Sequence, residues 1–74
     1  MKAKAKRYNM LAGYRTILDM TQEQMGNIIN RSKPSYCKRE NGDQEFKYSE
    51  MELILAKVNE KYPLMTMFEL FSKK

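Results

Sequence analysis

The sequence predicts an all-α fold, a compact domain of five short helices. Apolar residues recur at helical spacing, and no segment shows a convincing strand pattern of alternating apolar and polar residues. Patterns typical of capping boxes, in which a hydroxyl residue is followed three positions later by Glu or Gln, mark three helix starts. These pairs are Thr21 with Gln24, Ser49 with Glu52, and Thr66 with Glu69. The 74 residues are enough for one domain with one thin core.

The amino-terminal part combines a basic arm with a first helix. Residues 1–7 are basic and small and have no apolar period, so we expect a flexible arm followed by a single domain over residues 8–72. Helix one is expected from about Tyr8 to Asp19. Its buried stripe comprises Leu11, Tyr14 and Leu18.

Helices two and three follow in quick succession. Helix two starts at the Thr21 cap, and Asn30 suits the left-handed conformation at its end. Ser32 is expected to cap helix three, with Pro34 in the first turn, where the missing amide costs nothing. This helix should end near Glu40, with Asn41-Gly42 as its stop signal.

The carboxyl-terminal part completes the core. Phe46 is the expected core anchor of a loop over residues 43–48, and a fourth helix follows from Ser49 until Pro63 ends it. Its apolar stripe comprises Met51, Ile54, Leu55, Val58 and Tyr62. A short fifth helix opens at Thr66.

Composition narrows the function. Lys and Arg number 14 against nine Asp and Glu, and residues 1–48 hold the whole excess of five, which favours a polyanionic partner. The single cysteine, Cys37, cannot form an internal disulfide, and the chain contains no histidine, which argues against a zinc site and histidine-based catalysis. We expect no metal, no cofactor, no enzymatic activity, no membrane span and a cytoplasmic location in a bacterial host cell.

The run TQEQMGNIINRSKPSYCKRENG, Thr21 to Gly42, resembles the helix-turn-helix of the phage Cro and repressor family, also called the XRE family. The resemblance extends from about Leu11 to Phe71, and the segment from Tyr36 to Phe46 is similar to versions carried by temperate phages and mobile elements of Gram-positive bacteria. It implies a repressor-like domain and a sequence-specific transcriptional regulator. Such a regulator inserts helix three into the major groove of double-stranded operator DNA, usually as a homodimer.

The resemblance and the helical period together give candidate site residues. If Tyr36 faces the core, the residues at i, i+3, i+4 and i+7 from Pro34 form the opposite stripe of helix three. The candidate DNA contacts are Gln22, Ser32, Lys33, Pro34, Ser35, Cys37, Lys38 and Asn41, and the candidate arm contacts are Lys4, Lys6 and Arg7. Asn41 suits a phosphate contact and a helix stop equally well.

Two further assignments concern the framework. The resemblance implies an internal ion pair between Arg15 and Glu40 that links helices one and three. Arg39 stands where the family prefers an apolar residue, so either its stem lies on the core with its head in solvent, or it contacts DNA.

The apolar carboxyl terminus suggests a protein contact. Candidate dimer contacts are Met65, Met67, Phe68 and Phe71, although all of them could fold back onto helices one and four. The weak base-reading chemistry of Pro34 and Cys37 leaves open an antirepressor or modulator that binds a partner repressor protein. A third possible function is the antitoxin of a toxin–antitoxin pair.

Overall fold

A computed structural model describes residues 7–72 and contains five α-helices over this range. They are α1 (Asn9–Ile17), α2 (Gln22–Ile28), α3 (Lys33–Glu40), α4 (Tyr48–Asn59) and α5 (Met67–Leu70). The described residues contain no strand, so the all-α prediction is confirmed. None of these helices has the length and apolar character needed to cross a bilayer.

Local signals fix the connection between α2 and α3. The Thr21 hydroxyl accepts the N–H of Gln24 at 3.1 Å, and the Gln24 side chain accepts the N–H of Thr21 at 2.8 Å, so the predicted capping box is present. Asn30 adopts a left-handed φ of 58°, as expected for a residue that ends a helix. A β-carbon on Gly26 would lie 2.7 Å from the carbonyl oxygen of Arg31, so the chain can return this closely only past a glycine.

Helix α3 also begins and ends as predicted. The Ser32 hydroxyl accepts the N–H of Ser35 at 3.3 Å, and Pro34 lies in the first turn. The helix ends at Glu40, and Gly42 follows with a φ of 88°, a conformation that favours glycine.

The cap of helix α4 lies two residues earlier than predicted, at Lys47, and its start uses a different pair. The Glu50 carboxylate accepts the N–H of Lys47 at 2.9 Å, so the expected pairing of Ser49 with Glu52 is wrong. The helix ends at Asn59, whose side-chain amide donates to the carbonyl oxygens of Tyr62 and Met65. This amide holds the connection that leads to α5.

Aromatic rings form one side of the core. The Tyr8 ring lies 5.4 Å from Phe46 and 5.7 Å from Phe71, and Tyr36 lies 6.0 Å from Phe46. Phe46 therefore anchors its loop in the core, as predicted. Phe71 is only 8% exposed, so its assignment as a dimer contact is wrong. Aliphatic and methionine side chains fill the rest of the core, namely Leu11, Met25, Ile29, Ile54, Val58 and Leu70.

Candidate nucleic-acid interface

Helix α3 buries one side and exposes the other. Tyr36, Arg39 and Glu40 are buried against the domain, as predicted for Tyr36. The opposite side, called here the outer face of α3, comprises Lys33, Pro34, Cys37, Lys38 and Asn41. Cys37 is partly exposed and the other four are exposed. Ser32, exposed, and Ser35, partly exposed, lie at the same amino-terminal end.

The two lysines of this face are free of ion pairs within the described part of the chain. All ion pairs among residues 7–72 use other cations: Arg7, Arg15, Arg31, Arg39 and Lys57. Residues 7–72 hold nine Lys and Arg and nine Asp and Glu, so the excess of five belongs to residues 1–6 and 73–74. The helical body is therefore neutral, and its attraction for an anion depends on where its four cations outside these pairs lie, namely Lys33, Lys38, Lys47 and Lys61.

Behind α3, a buried carboxylate joins three helices. We call Glu40 with Arg15, Gln22 and Tyr36 the Glu40 cluster. The Glu40 carboxylate, 0% exposed, accepts from Nε of Arg15 at 2.8 Å, Nε2 of Gln22 at 2.9 Å and the Tyr36 hydroxyl at 2.9 Å. The implied ion pair between Arg15 and Glu40 is thus confirmed. The cluster fixes the buried side of α3 against α1 and α2.

The Glu40 cluster shifts two proton equilibria. The hydrogen bond to Glu40 raises the pKa of Arg15, which keeps the guanidinium charged. Burial, and next the negative charge of Glu40, raise the pKa of Tyr36 well above its ordinary value. At neutral pH the phenol is therefore a permanent donor to the carboxylate.

Gln22 and Arg7 are turned toward this carboxylate. Gln22, a candidate phosphate contact, is half-buried and gives one amide hydrogen to Glu40, so only its remaining amide hydrogen and its oxygen can face a ligand. Arg7 Nη2 lies 3.8 Å from Glu40 Oε1, with half of the Arg7 side chain exposed. The other candidate arm contacts, Lys4 and Lys6, lie outside the described residues.

A second carboxylate supports the turn before α3 and the start of α4. We call Glu50 with Arg31, Arg39 and the backbone N–H of Lys47 the Glu50 cluster. Glu50 Oε2 accepts from Nε of Arg31 at 2.7 Å, and Glu50 Oε1 lies 3.4 Å from Nε of Arg39. Burial alone would raise the pKa of Glu50, but the N–H of Lys47 and the guanidinium of Arg31 outweigh it, so this pKa is lowered.

Arg39 follows neither of its two predicted alternatives. It is only 7% exposed, so its head is neither in solvent nor available to DNA. Its Nη1 lies 2.7 Å from Ser35 Oγ, 3.0 Å from the Ser35 carbonyl oxygen and 3.1 Å from Gln44 Oε1. The nearby carboxylate of Glu50 is what makes this buried position tolerable for a cation.

Asn41 and Cys37 interact with each other at the end of the outer face. The Asn41 amide donates to the Cys37 sulfur at 3.6 Å, and the Asn41 N–H donates to the Cys37 carbonyl at 2.9 Å. The helix-stop role of Asn41 is therefore present in the structure. Its amide oxygen and second amide hydrogen still face outward from an exposed residue.

The candidate dimer residues divide into two groups. Phe68 is 88% exposed, while Met65 and Met67 are half-buried against the core. Leu64, which the sequence did not single out, is 91% exposed. It lines a shallow groove of 390 Å³ with Tyr14, Lys61, Tyr62, Pro63, Met65 and Glu69. Leu64 lies in the connection before α5 and Phe68 lies on α5, so neither belongs to α3.

Comparisons with known proteins add no relative. The chain matches no protein-family model, no curated protein and no solved structure.

Proposed function

We propose that the protein is a sequence-specific DNA-binding transcriptional regulator, Cro-like or repressor-like, from a phage or mobile-element genetic switch. In this proposal α2 and α3 act as a helix-turn-helix and α3 enters the major groove of operator DNA in a bacterial cytoplasm. One observation carries the proposal. The outer face of α3 presents Lys33 and Lys38, which form no ion pair within residues 7–72, while the other face is fixed by two buried carboxylates.

The chemistry of the outer face suits DNA in a limited way. Lys33 and Lys38 can donate to phosphates or to guanine acceptors, and Pro34 and Cys37 offer apolar contact to a thymine methyl group. Gln22, Ser32 and Asn41 supply further donors for backbone phosphates. Because few of these groups distinguish bases, we expect DNA shape to contribute much of the discrimination.

A symmetric dimer would strengthen binding by using two half-sites one helical turn apart. The exposed side chains of Leu64 and Phe68 support a contact between two copies, since large apolar side chains left in water favour association. Sedimentation tests this contact. Phe68→Glu should give a monomer where the wild-type chain dimerises, and an unchanged sedimentation coefficient would contradict it.

DNA binding itself is tested by selecting duplexes from a random library and measuring their affinity by fluorescence anisotropy across a salt series. Lys33→Ala and Lys38→Ala should each weaken binding, and each should reduce the slope of log K against log salt by about one if the lysine meets a phosphate. Lys61→Ala is the matched control, because this exposed lysine follows the end of α4, outside the candidate helix pair, and is also in no ion pair among residues 7–72. Selection without sequence enrichment, or equal effects of all three variants, would refute the proposal.

The second candidate is a modulator that binds a partner repressor protein instead of DNA. The observation in its favour is the exposure of Leu64, which lines the shallow groove, and of Phe68 on α5. Co-purification with a repressor encoded next to this gene distinguishes the modulator from the DNA-binding regulator. The modulator requires a stable complex that Phe68→Glu abolishes and that Lys33→Ala leaves intact, together with indifference to operator DNA.

A further inference from the structure

We infer that Arg39 is a positioning residue that orients the Ser35 hydroxyl, and that this hydroxyl is a hydrogen-bond donor to DNA. The inference rests on the proposed function and deepens it, because it assigns a DNA-directed task to a side chain that DNA cannot touch. It also gives a reason for a cation at a position where an apolar residue would pack more simply.

The geometry at Arg39 excludes a direct contact. The residue is 7% exposed, and Glu50 Oε1 lies 3.4 Å from its Nε. Its Nη1 has two hydrogens and three acceptors, the carbonyl and hydroxyl oxygens of Ser35 and the amide oxygen of Gln44, so at least one hydrogen is shared. The shortest of these contacts, 2.7 Å, is the one to the hydroxyl.

That contact determines what the Ser35 hydroxyl can offer. A guanidinium only donates, so Ser35 Oγ must accept from it, and the hydroxyl hydrogen turns away from Arg39. Within residues 7–72 no acceptor takes this hydrogen. Ser35 is partly exposed in the first turn of α3, beside the exposed Ser32 and Lys33. The hydroxyl is therefore a donor restricted to directions away from Arg39, at the amino-terminal end of α3, and is suited to a phosphate oxygen or an acceptor on a base edge.

A double-mutant cycle on DNA affinity tests the link. Ser35→Ala removes the donor and Arg39→Met removes the group that orients it. Each should weaken binding to the selected duplex by about fivefold, the effect of one hydrogen bond, and the double variant should be no weaker than either alone. A uniform loss across duplex sequences identifies a phosphate as the acceptor, and a changed base preference at one position identifies a base edge.

Arg31→Met is the matched control, because it also removes a guanidinium from Glu50 but leaves the contact between Arg39 and Ser35. The effect of Arg31→Met on affinity should add to that of Ser35→Ala. If Arg39 had only a structural role, the effect of Arg39→Met would add to that of Ser35→Ala in the same way. All affinities are measured well below each variant's melting temperature, and Arg39→Lys replaces Arg39→Met if the latter does not fold. Additive effects of Arg39 and Ser35, or no loss in Ser35→Ala, would overturn the inference alone. A wild-type chain that binds no duplex would overturn the proposed function and this inference with it.

Discussion

The two buried carboxylates of the domain differ in what surrounds them. Glu40 accepts hydrogen bonds from the Arg15 guanidinium and from two neutral donors, Gln22 and Tyr36, and so joins α1, α2 and α3. The half-exposed guanidinium of Arg7 lies farther away, at 3.8 Å. Glu50 faces two guanidinium groups and one backbone N–H, and joins the turn before α3, α3 itself and the start of α4. The first cluster is a framework built on directional hydrogen bonds, and the second balances charge around a buried arginine. Together they hold the buried side of α3, while its two lysines form no ion pair in the part of the chain that the structure describes.

The largest effect is expected at Glu40, since its carboxylate is inaccessible and has no substitute nearby. Glu40→Ala leaves the Arg15 guanidinium, the Gln22 amide and the Tyr36 hydroxyl without their acceptor. We expect a loss of about 3 kcal/mol or more in the free energy of unfolding, measured by urea denaturation followed by circular dichroism. Glu52→Ala, at an exposed position of α4, is the control and should change little. Equal losses in the two variants would contradict the central position of Glu40.

Glu50→Gln should have the next largest effect, about 2 kcal/mol at neutral pH, because Arg39 loses its counter-charge while the partly exposed Arg31 is rehydrated. The pKa of Glu50 is lowered in the folded protein, so as the pH falls the unfolded chain takes up the proton first. The stabilisation is therefore present above the unfolded pKa, about 4.3, and is lost as the pH falls through the folded value. Urea denaturation at pH 7 and pH 3 should show a difference between wild type and variant that narrows in acid.

Tyr36→Phe tests the neutral donors of the Glu40 cluster. At pH 8 the variant should be less stable by about 1.5 kcal/mol, the contribution of a hydrogen bond to a charged acceptor. Because the pKa of Tyr36 is raised, the unfolded phenol ionises first as the pH rises above about 10, and the wild-type advantage then declines. One pH unit above that value it should be smaller by about 1.4 kcal/mol. A pH-independent difference would mean that the phenol is not held as the structure has it.

The same two clusters explain which helix starts could be predicted from the sequence and which could not. The helix starts at Thr21 and Ser32 were predicted because a helix cap depends on a pattern of only four consecutive residues. The start of α4 was not, because Lys47 with Glu50 competes with Ser49 and Glu52, and the choice depends on Arg31 and Arg39, which are distant along the chain. Local pattern identifies candidates for a cap, and tertiary contacts select among them.

The buried side of the candidate interface divides in the same way. The family resemblance supplied the pairing of Arg15 with Glu40. Tyr36 as a further donor had a signal, since residues four apart share one side of a helix, but Gln22 had none. Phe68 and Phe71 could not be separated by pattern in so short an apolar segment. The rings of Tyr8 and Phe46 decide that Phe71 turns inward.

The smallest effect on stability is expected at an exposed ion pair, in contrast to the two buried clusters. Lys57 and Glu60 form an ion pair at 3.2 Å on the surface of α4, three residues apart and both substantially exposed. Solvent and salt screen such a pair, and holding two long side chains together costs entropy, so Lys57→Ala should change the free energy of unfolding by less than about 0.5 kcal/mol. Denaturation in low and high salt checks this, and the small difference should shrink further as salt is added. A loss comparable to that of Glu50→Gln would show that burial is not what separates the two clusters from the surface pair.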